Sequence, residues 1–130
     1  MPIQEVEYIW MNGEFIKWNE AKVPILTHAL HYGTAVFEGI RAYPSENNLL
    51  IFRLKDHLER LIESAKVLPL EHSQSVTKLE NAIIELLKIN KLKESSYIRP
   101  LIFVGYGGIG LNFTGFPIDT AVIAFPFGKY

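Results

Sequence analysis

The sequence has no cysteine. A disulfide framework, a zinc knuckle and a thiol nucleophile are thereby excluded, and the composition suits a reducing compartment. It also lacks any block of one charge: 13 basic and 14 acidic residues are interspersed for a formal net charge of −1, leaving no stripe to follow a nucleic-acid backbone or an anionic lipid surface. No apolar run approaches the roughly 20 residues of a membrane-spanning helix. The first seven residues, Met1-Pro-Ile-Gln-Glu-Val-Glu7, have neither the basic nor the apolar region of a secretory leader. Internal repeats, low-complexity tracts and interdomain linkers are missing too. A cytoplasmic protein with no nucleic-acid or membrane partner is expected.

What is present is ample for one folded domain: 130 residues, 48% hydrophobic and 12% aromatic. Tyr8 to Trp18 reads as a hairpin turning at Asn12-Gly13, the favoured two-residue turn between β-prone runs. Val36 to Tyr43 and Leu49 to Arg53 read as strands separated by a turn over 44–48. Leu54, Leu58, Leu61, Ile62, Ala65 and Leu68 recur at helical spacing until Pro69 stops the pattern. A second helix is marked by the stripe Leu79, Ala82, Ile83, Leu86 and Leu87, with Thr77-x-x-Glu80 as a capping box and an end near Asn90 to Lys93. Tyr97 to Val104 and Thr120 to Phe127 complete the strands, around a glycine-rich loop over 105–115. This order predicts an α+β fold: two layers, an antiparallel sheet with its two main helices packed on one face and the other face open.

Strand alternation puts Phe37, Gly39, Arg41 and Tyr43 on one side, and Val36, Glu38 and Ile40 on the other. It likewise groups Tyr97, Arg99, Leu101 and Phe103. Two strands that each set an arginine beside an aromatic can wall a pocket in which a carboxylate meets a guanidinium and the rest of the ligand meets rings. The plainer alternative is that both arginines sit at the rim in ion pairs. Pro100 points to an edge or irregular strand, and Gly39 to a bulge or a close approach. Arg60 invites two readings: an exposed pair with Asp56 one helical turn earlier, or a phosphate ligand. Glu38 should face the helices and needs a buried partner, which the sequence does not identify.

Gly105-Tyr-Gly-Gly-Ile-Gly110 satisfies G-x-G-x-x-G, but the residues after it cannot open the helix that would hold a pyrophosphate. A flexible loop presenting Ile109 and Leu111 is expected instead. His28 and His31 have nothing nearby to complete a metal ligand set, so they read as structural or hydrogen-bonding residues and no metal is expected. His57 and His72 stand isolated.

Taken together, His28-Ala-Leu-His-Tyr-Gly33, Val36-Phe-Glu-Gly-Ile-Arg41 and Ser95-x-Tyr-Ile-Arg-Pro100 resemble the signatures of the branched-chain amino-acid aminotransferases. These are pyridoxal-phosphate (PLP) enzymes of the D-amino-acid-aminotransferase-like fold. The likeness runs from Tyr8-Ile-Trp-x-Asn-Gly13 to Phe125-Pro-x-Gly-x-Tyr130. It implies that Arg60, within His57-Leu-Glu-Arg-Leu61, contacts the PLP phosphate, and that Tyr32, Phe37 and Gly39 line the pocket for an aliphatic side chain, closed by Tyr130. It further implies that Arg99 receives the distal carboxylate of glutamate with Arg41 and Tyr97 in support, and that Ile109 and Leu111 complete a neighbouring subunit's pocket.

The same resemblance implies an N-terminal domain over residues 1–130, with the Schiff-base lysine in a second domain beyond residue 130. The catalytic residue would then be absent here, and Lys129 stands where relatives vary. Phe127 replaces a common tryptophan, and Tyr106 an acidic residue of some relatives, which leaves substrate preference open. The implied activity is transamination of leucine, isoleucine or valine with 2-oxoglutarate by at least a homodimer. The isolated chain would be inactive, with apolar surface left for its own C-terminal domain and a second copy. A non-catalytic binding or dimerisation module, and a D-amino-acid aminotransferase or aminodeoxychorismate lyase, are the alternatives.

Overall fold

A computed structural model describes residues 2–127. Seven strands, β1 (Tyr8–Met11), β2 (Glu14–Lys17), β3 (Ala35–Phe37), β4 (Ile40–Ser45), β5 (Asn48–Ile51), β6 (Ser96–Val104) and β7 (Ile118–Pro126), form one antiparallel sheet. Its order is β2-β1-β7-β6-β4-β5, with β3 also paired to β6. Helices α2 (Leu54–Val67) and α3 (Val76–Ile89) cover one face, and the short α1 (His28–Tyr32) precedes β3. The α+β expectation holds; α1 is an addition to it.

The helix stripes explain the layering. Leu58 and Leu61 from α2, and Leu79, Ile83 and Leu86 from α3, are wholly buried against Ile40, Ala42, Ile98, Ile102, Val104, Val122 and Ala124 of the sheet. Each fully buried aliphatic side chain contributes about 1.5–3 kcal/mol. Ser75, in extended conformation, caps α3 by accepting the Lys78 amide at 3.2 Å. The cap therefore lies two residues before Thr77, which is already inside the helix. Asn90 ends α3 and grips the first strand, accepting the Tyr8 amide at 2.9 Å and donating to the Tyr8 carbonyl at 3.0 Å.

Asn12 (φ 50°) and Gly13 (φ 92°) make the β1–β2 turn as expected. The β4–β5 turn is tighter than the sequence suggested: Pro44 and Ser45 stay in β4, and the chain reverses over Glu46 and Asn47. The strand expected over Val36 to Tyr43 is interrupted at Glu38 and Gly39. No residue is inserted, since Phe37 opposes Leu101 and Ile40 opposes Ile98 in one continuous register. That rules out a bulge.

The cause is Pro100. Glu38 donates its amide to the Pro100 carbonyl at 3.1 Å, and the return bond cannot form because proline has no N–H. Pro100 therefore sits in a central strand rather than at an edge, with its missing donor facing the interruption. No helix of the described residues is long and apolar enough to cross a membrane.

Candidate functional site

Alternation along β3, β4 and β6 delivers the expected grouping. Phe37, Gly39 and Arg41 are exposed on the face away from the helices, whereas Glu38, Ile40 and Ala42 are buried. Arg99 lies across the same open face with its guanidinium 4.2 Å from the centre of the Phe37 ring, and its Nη2 donates to the Tyr97 hydroxyl at 2.6 Å. Arg41 stacks 4.8 Å over the Phe127 ring, which itself stacks on Tyr97 with centroids 5.7 Å apart. The Phe125 ring also packs on Tyr97, with centroids 5.7 Å apart.

Gly39 is required by the close approach of Tyr97: a Cβ at position 39 would collide with the tyrosine hydroxyl. Phe37, Gly39, Arg41, Tyr97 and Arg99 are thus one constellation. Among the described residues neither arginine has a carboxylate in ion-pair range, so the rim-pair reading does not hold. The Arg99 Nε is buried without a hydrogen-bond partner.

Arg60 belongs to a second cluster, on the helix side of the interruption. Its Nε and Nη2 donate to the two oxygens of Glu38 at 2.9 and 2.7 Å, and His57 Nδ1 meets Glu38 Oε1 at 2.8 Å. Glu38 is only 5% exposed, and these two residues are the partners the sequence left unidentified. Burial pushes the Glu38 carboxyl up, but the hydrogen bonds and charge of Arg60 and His57 outweigh it and hold the group below the ordinary carboxylate range. The same carboxylate raises Arg60.

The exposed Arg60–Asp56 pair is not formed, because Asp56 bonds Arg53 at 2.7 Å instead. His57, to which spacing gave no role, is the residue sequence reasoning missed; its only signal was its position one turn before Arg60. Held side-on by Glu38, Arg60 keeps its Nη1 edge for an anion, and its side chain remains 69% exposed.

Tyr32 is tied to a third group, formed with the glycine-rich loop. Its ring stacks on His28 at 4.3 Å, and its hydroxyl accepts the Gly110 amide at 2.9 Å. Ile109 and Leu111, on either side of Gly110, are 73% and 84% exposed. No helix follows the loop among the described residues, in keeping with the rejection of a dinucleotide site. His28 and His31 are both engaged by protein oxygens, and no group of three metal-ligating side chains exists among the described residues. Tyr130, expected to close the pocket, and Lys129 lie outside the described residues. Beside α1 the open sheet face holds an apolar groove of about 380 Å³, lined by Leu30, Leu101, Phe103 and Ile123 among others.

Comparison with known proteins places this geometry. Residues 35–130 match the family model described as amino-transferase class IV. The chain is 47% identical over its whole length to a branched-chain-amino-acid aminotransferase of Escherichia coli (strain K12), and 39% identical over 94% of its length to one from Pseudomonas aeruginosa. It spans about 42% and 39% of those relatives' lengths. Among solved structures, the E. coli branched-chain amino acid aminotransferase superposes with a TM-score of 0.91 over 97% of this chain and 41% of its own. The branched-chain aminotransferase of the thermophilic archaeon Thermoproteus uzoniensis, solved with norvaline and 41% identical, gives 0.91 over 96% of this chain and 42% of its own. With sequence, sheet and signature residues in agreement, the chain belongs to the class IV aminotransferases, and it corresponds to the N-terminal part of branched-chain-amino-acid aminotransferases.

Proposed function

We propose that this chain is the substrate-binding N-terminal domain, residues 1–130, of a PLP-dependent branched-chain amino-acid aminotransferase that exchanges the amino group of leucine, isoleucine or valine with 2-oxoglutarate. The observation that carries the reading is Arg99: a cation on the open sheet face, stacked on Phe37, bonded to Tyr97 through Nη2 and with no protein carboxylate in ion-pair range among the described residues. A glutamate side-chain carboxylate is a fitting acceptor there. An aliphatic side chain meets the exposed Phe37 ring instead. Arg41 adds positive charge at the edge without a competing protein carboxylate among the described residues. One wall thus receives both an apolar and an anionic side chain, as alternating half-reactions demand.

Arg60 fits a phosphate by its chemistry, since Glu38 fixes two of its nitrogens and leaves a planar donor edge free. PLP, when bound, supplies the electron sink that lets an amino group be exchanged. The contribution of this chain is to bind, orient and desolvate: Arg60 holds the phosphate, Arg99 with Tyr97 and Arg41 orients the acidic substrate, and the aromatic wall excludes water. Tyr32, Ile109 and Leu111 complete the site of a neighbouring subunit, and the proton-transferring lysine comes from a C-terminal domain. The apolar groove and exposed Ile25, Leu26 and Leu30 support contact with that domain and with a second copy in a homodimer. The protein works in the cytoplasm, in line with its lack of cysteine.

The test is turnover by the PLP-loaded full-length protein. Leucine with 2-oxoglutarate should react, and D-alanine should not. Preference for the D-amino acid, or lyase activity on an aminodeoxy substrate, would overturn the assignment.

A further inference from the structure

We infer that His28 is a positioning residue: it anchors the glycine-rich loop at Gly110, and so sets how Ile109 and Leu111 are presented to the aliphatic substrate side chain. The inference rests on the reading of that loop as a pocket wall. His28 is 1% exposed and sits in the first turn of α1. It holds the loop at two points. Its backbone amide donates to the Gly105 carbonyl at 3.1 Å, and its ring Nε2 lies 2.7 Å from the Gly110 carbonyl.

A carbonyl only accepts, so Nε2 donates to Gly110, while Nδ1 lies 2.8 Å from the Thr34 hydroxyl. Both ring nitrogens are thereby engaged by the protein. Tyr32, one turn on, accepts the Gly110 amide, so both backbone groups of Gly110 are bound by side chains from one face of α1. Gly110 adopts φ +101°, a conformation that side-chain-bearing residues rarely take. Phe116 and Phe113 close around the His28 ring at 5.6 and 5.8 Å. The loop is therefore fixed at the one residue between its two exposed aliphatic side chains. Loss of this anchor removes uniform binding of the aliphatic substrate, which appears in KM rather than kcat. Glutamate, held by its carboxylate at Arg99, does not depend on it.

The experiment compares full-length wild-type protein with His28→Phe, which keeps an aromatic ring and deletes both side-chain bonds, and His28→Gln, whose amide N–H reaches toward Gly110. Leucine and glutamate kinetics are read together with amide hydrogen exchange over residues 105–115. His28→Phe should raise the leucine KM about five- to tenfold, the scale of one or two lost neutral hydrogen bonds, leaving kcat and the glutamate KM near wild type. Exchange in the loop should accelerate by a similar factor, and His28→Gln should recover most of both effects.

Unchanged loop exchange in His28→Phe, or an equal rise in both KM values, would overturn the inference. Should His28→Phe not fold, Thr34→Val removes the hydroxyl that holds the His28 ring at Nδ1, and the same comparison decides. Failure of the wild type to transaminate leucine would overturn the proposed function and the specificity role together. Loop exchange decides the anchoring by itself.

Discussion

The Tyr97 hydroxyl occupies the space that a side chain on Gly39 would need, and in that position it accepts the Arg99 guanidinium at 2.6 Å. The absence of a Cβ between β3 and β4 thus sets the direction of a cation in β6. Gly39→Ala should displace Tyr97, with overpacking costing about 1–3 kcal/mol and some of that appearing as lost transition-state binding. Steady-state kinetics of the full-length protein should show kcat/KM for 2-oxoglutarate down about tenfold, the equivalent of about 1.4 kcal/mol.

Arg99 offers a sharper division between substrates. Arg99→Ala removes a charged hydrogen-bond donor worth about 1.5–3 kcal/mol, so the KM for glutamate and 2-oxoglutarate should rise about 10- to 100-fold. Leucine, which meets the rings, should change by far less. Separate measurement of the two half-reactions by single-turnover absorbance checks the asymmetry.

Glu38 carries a pH signature. Its carboxyl titrates below the ordinary range in the folded protein, so the folded state binds its proton less tightly than the unfolded state does. The resulting stability is complete above the unfolded carboxylate pKa and is lost as pH falls through the depressed folded value. Glu38→Gln should cost about 1–3 kcal/mol near neutrality. In urea melts of the full-length protein at successive pH values, the gap from wild type should close on acidification. A constant gap would assign the loss to packing alone.

Asn90 joins the end of α3 to β1 through both backbone groups of Tyr8. Asn90→Ala strands an N–H and a C=O that are partly buried, and should destabilise the fold by about 1–3 kcal/mol with little change in substrate KM. Thermal melts paired with kinetics separate the two.

Much of this was legible in the sequence because it depends on short-range rules. The Asn12-Gly13 turn, the leucine stripes of α2 and α3, and the alternation that sends Phe37 and Arg41 one way and Glu38 and Ile40 the other all follow from local periodicity. The features that escaped depend on contacts between distant residues. The Pro100 gap is matched by a partner strand about sixty residues away in sequence, and Arg60 takes its partner from between β3 and β4 rather than from Asp56 on its own helix. The Ser75 cap was hidden by a competing Thr77-x-x-Glu80 pattern, and the short α1 by having too few residues to show a period. The site's arginines were found by motif and alternation. That Arg41 and Arg99 have no carboxylate in ion-pair range among the described residues became visible only with the strands assembled.

The most direct test of the central claim, that this chain is the substrate wall of an enzyme whose PLP-bearing lysine lies elsewhere, is a mass measurement after borohydride reduction in the presence of PLP, on residues 1–130 and on the full-length protein. One pyridoxyl group per full-length polypeptide, on a lysine outside residues 1–130, with no stoichiometric labelling of the shorter chain, is the predicted result. Stoichiometric labelling of a single lysine within residues 1–130, or no labelling of either polypeptide, would contradict it.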